Sequence, residues 1–248
     1  MITGGSSGIG LALARRLGSR GWRLALLARH EGRLAAAVED LGGAARGVAG
    51  HVCDVAEPGA IEGLAERILA AEGGGVDLVI ANAGIPARYD AIATGRAEAA
   101  AAIDVNYLGL VATVRAFWPG LVASGGRVVG VVSVAGAIAT PRGAPYGASK
   151  HAALAYMRAL GAVAPRHGVG VLVVNPGPVA TPGFPQTRVL ERRLARRAVI
   201  SDARCADGIL RALDDGRREV FLPGWWRAAA VLQAAFPGTV ARAAARFG

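Results

Sequence analysis

The chain has 248 residues, 53% of them hydrophobic, which allows one substantial core and argues against disorder. Its formal charge is +10, but the basic residues are spread along the chain, so a nucleic-acid partner is not expected. Two cysteines, Cys53 and Cys205, provide neither a disulfide framework nor a metal-ligand spacing, and fit a reducing, cytoplasmic setting.

Apolar runs alternate with Ala/Leu-rich helical stretches. Strands are predicted at Trp22–Ala28, Gly47–Cys53, Val76–Ala81, Arg127–Ser133, Val169–Asn175 and Glu219–Leu222. Helices are predicted at Gly8–Arg20, Glu31–Leu41, Pro58–Ala71, Ala97–Ser124, Tyr146–His167 and Ser201–Asp215. Stretches such as VDLVIA and VGVLVV are apolar at nearly every position, as in parallel strands covered on both faces. The predicted class is therefore α/β: a Rossmann-like, doubly wound parallel sheet flanked by helices. No linker or repeat divides residues 1–248, so one domain is expected. No apolar run of membrane-spanning length lacks a charge, so no transmembrane helix is expected.

Gly4, Gly8 and Gly10 follow a G-x3-G-x-G spacing and run into the helical LALARRL. Such glycines let backbone turn sharply beside a pyrophosphate, and the helix N-terminus offers free N–H groups. Ser6 and Ser7 add hydroxyl donors. Only Met1 and Ile2 precede the turn, where a full strand is expected. The expectation is that the coding region supplies about five more apolar residues, the length of an ordinary strand.

The second strand ends at Ala28 with no carboxylate before Glu31. An acidic residue here would meet a ribose 2′-hydroxyl; Arg29 instead suits a 2′-phosphate, favouring NADP(H) over NAD(H). Tyr146 and Lys150 lie four apart on one helix face, where an ammonium would lower the tyrosine pKa and fit it for proton transfer. Lys150 is the only lysine among 28 basic residues, so chance placement explains it poorly. Ser133 closes a strand at the end where open α/β sheets bind ligands.

Thr3-Gly4-x3-Gly8-x-Gly10, Asn82-Ala83-Gly84, Asn106 in DVNYLG, Ser133, Tyr146-x3-Lys150 and Pro176-Gly177 occur in that order. The chain resembles the short-chain dehydrogenase/reductase family over about residues 1–222. The resemblance implies a metal-free hydride transfer between a nicotinamide and a ketone or secondary alcohol, with an apolar substrate expected. It makes Tyr146 the general acid/base, Lys150 its partner and a ribose ligand, and Ser133 the carbonyl-orienting group. Asn106 would hold a helix kink and a water of the proton relay. Thr3, Gly4, Ser6, Ser7, Gly8, Ile9 and Gly10 would form the cofactor turn. Asp54 would contact adenine, with Val55 beside it. Asn82, Ala83 and Gly84 would line the adenosine side, and Pro176, Gly177, Val179 and Thr181 the nicotinamide end. Family members are often homodimers or homotetramers. ANAG departs from the commoner double-Asn form, with Asn82 retained.

Residues 183–200 stand where the family places a variable substrate lid. Arg188, Arg192, Arg193, Arg196 and Arg197 crowd this stretch, which suits either a solvated face or docking of a phosphorylated acyl carrier or coenzyme A. The nearest rival activity is accordingly 3-oxoacyl thioester reduction; a non-catalytic NADP-binding sensor is the rival of another class. Residues 224–248 read as two amphipathic helices broken at Pro237, with paired tryptophans and with Arg227 and Arg242 suited to an interface. They are expected on the domain itself or a partner subunit, over the substrate pocket, or peripherally on a membrane.

Overall fold

The computed structural model describes residues 1–86, 91–139, 143–182, 198–240 and 242. The arginine-rich segment that carries the expected lid and carrier-docking charges lies outside them.

The strands are β1 (Ile2–Thr3), β2 (Leu24–Ala28), β3 (Val48–Val52), β4 (Leu78–Ala81), β5 (Arg127–Val131), β6 (Gly170–Pro176), β7 (Val179–Ala180), β8 (Ile200–Ser201) and β9 (Glu219–Leu222). Seven of them form one parallel sheet in the order β3-β2-β1-β4-β5-β6-β9, and β7 pairs with β8 in a second, two-stranded sheet. All six predicted strands are present. Their ends shift by at most two residues, because hydrogen-bonded pairing and the apolar run do not stop at the same place.

The helices are α1 (Gly8–Ser19), α2 (Glu31–Asp40), α3 (Ala60–Ala71), α4 (Arg96–Ile103), α5 (Gly109–Ser124), α6 (Ala144–Val163), α7 (Asp202–Asp214) and α8 (Trp226–Ala235). The predicted helix Ala97–Ser124 is interrupted by a π-helical turn, Asp104–Leu108, between α4 and α5. Periodicity cannot reveal that extra residue, because both flanking segments keep the helical period. The tail breaks at Phe236, the residue before Pro237, because a residue preceding proline is disfavoured in the α region.

Side chains alternate across the sheet into two cores. Ile2, Leu26, Ile80, Val129 and Leu172 pack with α1 and α7 residues such as Leu13, Leu17 and Ile209. Leu27, Val79, Val128 and Val173 pack with α3, α5 and α6 residues such as Ile61, Phe117 and Met157. Arg16 clamps α1 to α7 through the Asp207 carboxylate. The run Arg96–Ser124 is apolar enough to cross a membrane, with mean hydropathy 1.3 in its most apolar window. Its Leu110, Val114, Phe117 and Leu121 nevertheless face the second core.

The two-residue β1 is central. Ile2 pairs with Leu26 on one side and Ile80 on the other. Met1 N donates to Leu78 O at 2.8 Å, and Met1 O accepts from Ile80 N at 2.9 Å.

Candidate active site

The turn between β1 and α1 is shaped by close backbone approach. Gly4 and Gly8 have φ of +65° and +52°, conformations that side chains disfavour. A Cβ on Gly10 would stand 2.3 Å from Gly4 O, so that position excludes every larger residue. A Cβ on Gly8 would stand 3.0 Å from Thr181 Cγ2, placing Thr181 over the turn. Ile9 points the other way and packs against the first core.

Hydrogen bonds tie this turn to the segment after β4. Thr3 Oγ1 accepts from Asn82 N at 3.0 Å and Ala83 N at 3.1 Å. Asn82 Nδ2 donates to Thr3 O at 3.0 Å and Gly4 O at 3.3 Å. Since β1 leads to β2 on one side while β4 lies on the other, the crevice between them is the sheet's topological switch point.

A cleft of about 260 Å³ opens there. Gly4, Ser6, Ser7, Arg29, Asp54, Val55, Ala83 and Gly84 line it, as the resemblance implies for cofactor residues. His30 and Arg33 also line it, and neither was singled out from the sequence. The signal for Arg33 was present: it stands four residues after Arg29, in the first turn of α2. Asp54 Oδ1 accepts from Ala56 N at 3.0 Å, which orders the loop after β3. The glycine cradle, the N-terminus of α1 and the arginine-lined rim fit a phosphorylated dinucleotide.

At the ends of β5 and β6 a second group of residues meets. Ser133 is 8% exposed, and its Oγ accepts from Ala135 N at 3.1 Å. The Tyr146 hydroxyl stands beside it. Burial pushes the Tyr146 pKa up, and the Ser133 contact offsets this in part. The sequence-based expectation of a lowered tyrosine pKa is thus reversed here, because desolvation outweighs the favourable contacts. Lys150 lies with Nζ 5.8 Å from the Tyr146 ring centroid and donates to Val131 O at 3.2 Å. Burial lowers its pKa to about 8.

Asn106 sits in the π turn, wholly buried. Its Oδ1 accepts from Ile85 N at 2.7 Å, and its Nδ2 donates to Ile85 O and to Ser149 Oγ, each at 3.0 Å. Ser149 Oγ in turn donates to Tyr146 O at 2.8 Å. The motif spacing does not single out Ser149, although it stands between Tyr146 and Lys150. A Cβ on Gly84 would lie 3.0 Å from Asn106 Oδ1 and 3.5 Å from Lys150 Nζ, so this glycine joins the cleft to the tyrosine–lysine pair. Pro176 ends β6, Gly177 follows it, and Val179 pairs with Ile200 in the small sheet.

Residues 1–189 match the family model described as short chain dehydrogenase. A protein named as ketoacyl reductase 1 of the granaticin polyketide synthase of Streptomyces violaceoruber is 37% identical over 188 residues, covering 73% of this chain and 68% of that one. The alcohol dehydrogenase of the archaeon Thermococcus sibiricus, solved with 5-hydroxy-NADP, has TM-score 0.77 and 31% identity, covering 89% of this chain and 93% of that one. A short chain dehydrogenase/reductase from Burkholderia phymatum, solved with NAD, has TM-score 0.84 and 27% identity, covering 94% and 92%.

Proposed function

This chain belongs to the short-chain dehydrogenase/reductase family, and from that premise we propose that it reduces an apolar ketone, or oxidises the corresponding secondary alcohol, with NADP(H). The observation that carries the proposal is the meeting of Ser133, Tyr146 and Lys150 at one end of the sheet, with Lys150 Nζ 5.8 Å from the Tyr146 ring centroid and Gly84 joining that pair to the cleft beside the glycine cradle. Bound NADPH would supply the hydride. Ser133 holds the substrate carbonyl by a hydrogen bond, and Tyr146 delivers a proton to the same oxygen as it becomes an alcohol. Lys150 supplies positive charge near the tyrosine ring, which stabilises the phenolate left behind. Asn106, through Ser149, fixes the backbone that carries Tyr146. In the alcohol-oxidising direction Tyr146 takes the proton instead.

The preference for NADP(H) rests on Arg29 and Arg33 lining the cleft, with Ala28 rather than a carboxylate at the end of β2. Relatives of this fold have been solved with either cofactor, so the rim residues carry this part of the reading. Assembly as a homodimer or homotetramer belongs to the same proposal and is read by light scattering of the purified protein.

Tyr146→Phe tests the mechanism. The expected result is a loss of at least about 100-fold in NADPH-dependent ketone reduction, with NADPH affinity unchanged. An unchanged rate would falsify the role of Tyr146. A wild-type protein that binds NADPH but reduces no ketone would instead support the sensor reading.

A further inference from the structure

Helix α8 turns its large apolar side chains away from the domain. Its half-buried face is Trp226, Ala229, Ala230 and Gln233, and Gln233 Oε1 accepts from Ala139 N at 3.5 Å. The exposed stripe is Arg227, Ala228, Val231, Leu232 and Ala235, and it runs into Phe236. Val231 is 61% exposed, Leu232 52% and Phe236 59%, and no residue of the helix is fully buried. An ordinary surface helix directs its apolar stripe to the core and its polar residues to water. Here the glutamine faces in and the valine and leucine face out.

Trp225 extends the stripe. It is 52% exposed and stacks on Trp226 with ring centroids 4.2 Å apart, while the inner ring lies against Gly177 at the end of β6. The outer indole is thus held at the surface. Exposed apolar residues scattered singly need no explanation, but a contiguous patch marks an interaction surface.

Charge decides the partner. Residues 220–248 hold three arginines and no aspartate or glutamate. Arg227 lines the same shallow hollow as Val231, Leu232 and Phe236, and it joins no salt bridge among the described residues. A second copy fits this face poorly. Two-fold pairing sets a patch on itself, which brings Arg227 towards Arg227. A stable interface also takes about 20–30 residues a side, far more than this stripe supplies. A lipid surface needs only apolar side chains at the headgroup boundary and cations among anionic headgroups.

We propose that α8 is a docking surface for an anionic lipid membrane, with Trp225, Val231, Leu232 and Phe236 entering the interface and Arg227 meeting the headgroups. At 10 residues the helix lies on the membrane rather than crossing it, since a span takes about 20. Lipid binding and ketone reduction are separate properties, so either can fail alone.

The test floats the full chain with vesicles of phosphatidylcholine, alone or mixed in equal parts with phosphatidylglycerol. The wild type should float with the anionic vesicles and stay behind with the neutral ones, and added salt should weaken the binding. Val231→Ser combined with Leu232→Ser should lower the partition constant at least about tenfold. Arg227→Gln should lower it about fivefold, the effect of one cation near an anionic surface. None of these residues belongs to the proposed active site, so NADPH affinity should stay unchanged in every variant. No flotation with anionic vesicles, equal flotation with neutral ones, or flotation that neither variant lowers overturns the proposal. So does a wild-type oligomer that the double variant splits in light scattering, because the face is then a contact between copies. A measurement on the wild type covers variants that fail to fold. Anionic vesicles with brominated acyl chains should quench its tryptophan fluorescence, because Trp225 comes within reach of the chains; unquenched fluorescence overturns the proposal.

Discussion

Asn82 reaches from the end of β4 to the carbonyl of Thr3 in β1, with Nδ2 3.0 Å from the oxygen. Its amide thus links the two strand ends that flank the switch point, and its other contact, Gly4 O, lies in the glycine turn itself. Asn82→Ala deletes both bonds and leaves carbonyls without a donor. The expected cost is about 2 kcal/mol of folding stability, together with weaker NADPH binding. Urea denaturation and a calorimetric titration check the two effects. Unchanged NADPH affinity would mean that the turn holds its shape without this link.

Arg29 and Arg33 line the cleft together, so both should read the 2′-phosphate. Arg29→Asp should weaken NADPH by about 10- to 100-fold, since charge-assisted hydrogen bonds to phosphate are lost, and should leave NADH nearly unaffected. Arg33→Ala should act in the same direction and more weakly. Dissociation constants for both cofactors decide the matter: equal weakening of NADPH and NADH sinks the 2′-phosphate assignment.

Lys150 holds an amine in a buried site, 4% exposed, with its pKa lowered from 10.5 to about 8 by desolvation. Between those values the unfolded chain binds the proton and the folded chain does not, so this group makes stability rise with pH from about 8 to 10.5. Below pH 8 the penalty is present in full. It amounts to roughly 3 kcal/mol, since each tenfold loss of proton affinity is worth about 1.4 kcal/mol. Lys150→Met should therefore be more stable than the wild type at pH 7, lose that advantage as the pH rises, and reduce ketones poorly. Denaturation midpoints of both proteins at pH 7 and pH 9.5 give the comparison. A variant less stable than the wild type at both pH values would show that the Val131 carbonyl contact outweighs desolvation.

Two glycines in helices give opposite expectations. A Cβ on Gly10 meets Gly4 O at 2.3 Å, whereas one on Gly32 meets nothing within 4 Å. Gly10→Ala should cost about 1–3 kcal/mol and abolish tight NADPH binding, because rigid backbone must shift. Gly32→Ala should be neutral or stabilising by up to about 1 kcal/mol. Thermal melting of the two variants side by side checks the contrast.

Much of the architecture was legible from local pattern. The apolar runs at Val79 and Val173 mark strands covered on both faces, and the glycine spacing before LALARRL marks a turn that needs bare backbone. Such features depend on residues close in the chain, where periodicity and φ restrictions act directly. The π turn around Asn106 was not legible from periodicity, because its flanks preserve helical spacing while Asn106 is held by Ile85 and Ser149 from elsewhere; only the family resemblance implied a kink there.

What the amino-acid order determined by itself was the sequence of elements, the glycine turn and the pairing of Tyr146 with Lys150 on one helix face. What only the tertiary structure decided was which distant groups share an environment. It set Arg33 beside Arg29 in the cleft, Asn82 on Thr3, and the Trp226 indole on Gly177. It also reversed the direction expected for the Tyr146 pKa. Residue spacing reports neighbours along an element, but desolvation depends on everything packed around a group, and that density exists only once the sheet and its helices have closed.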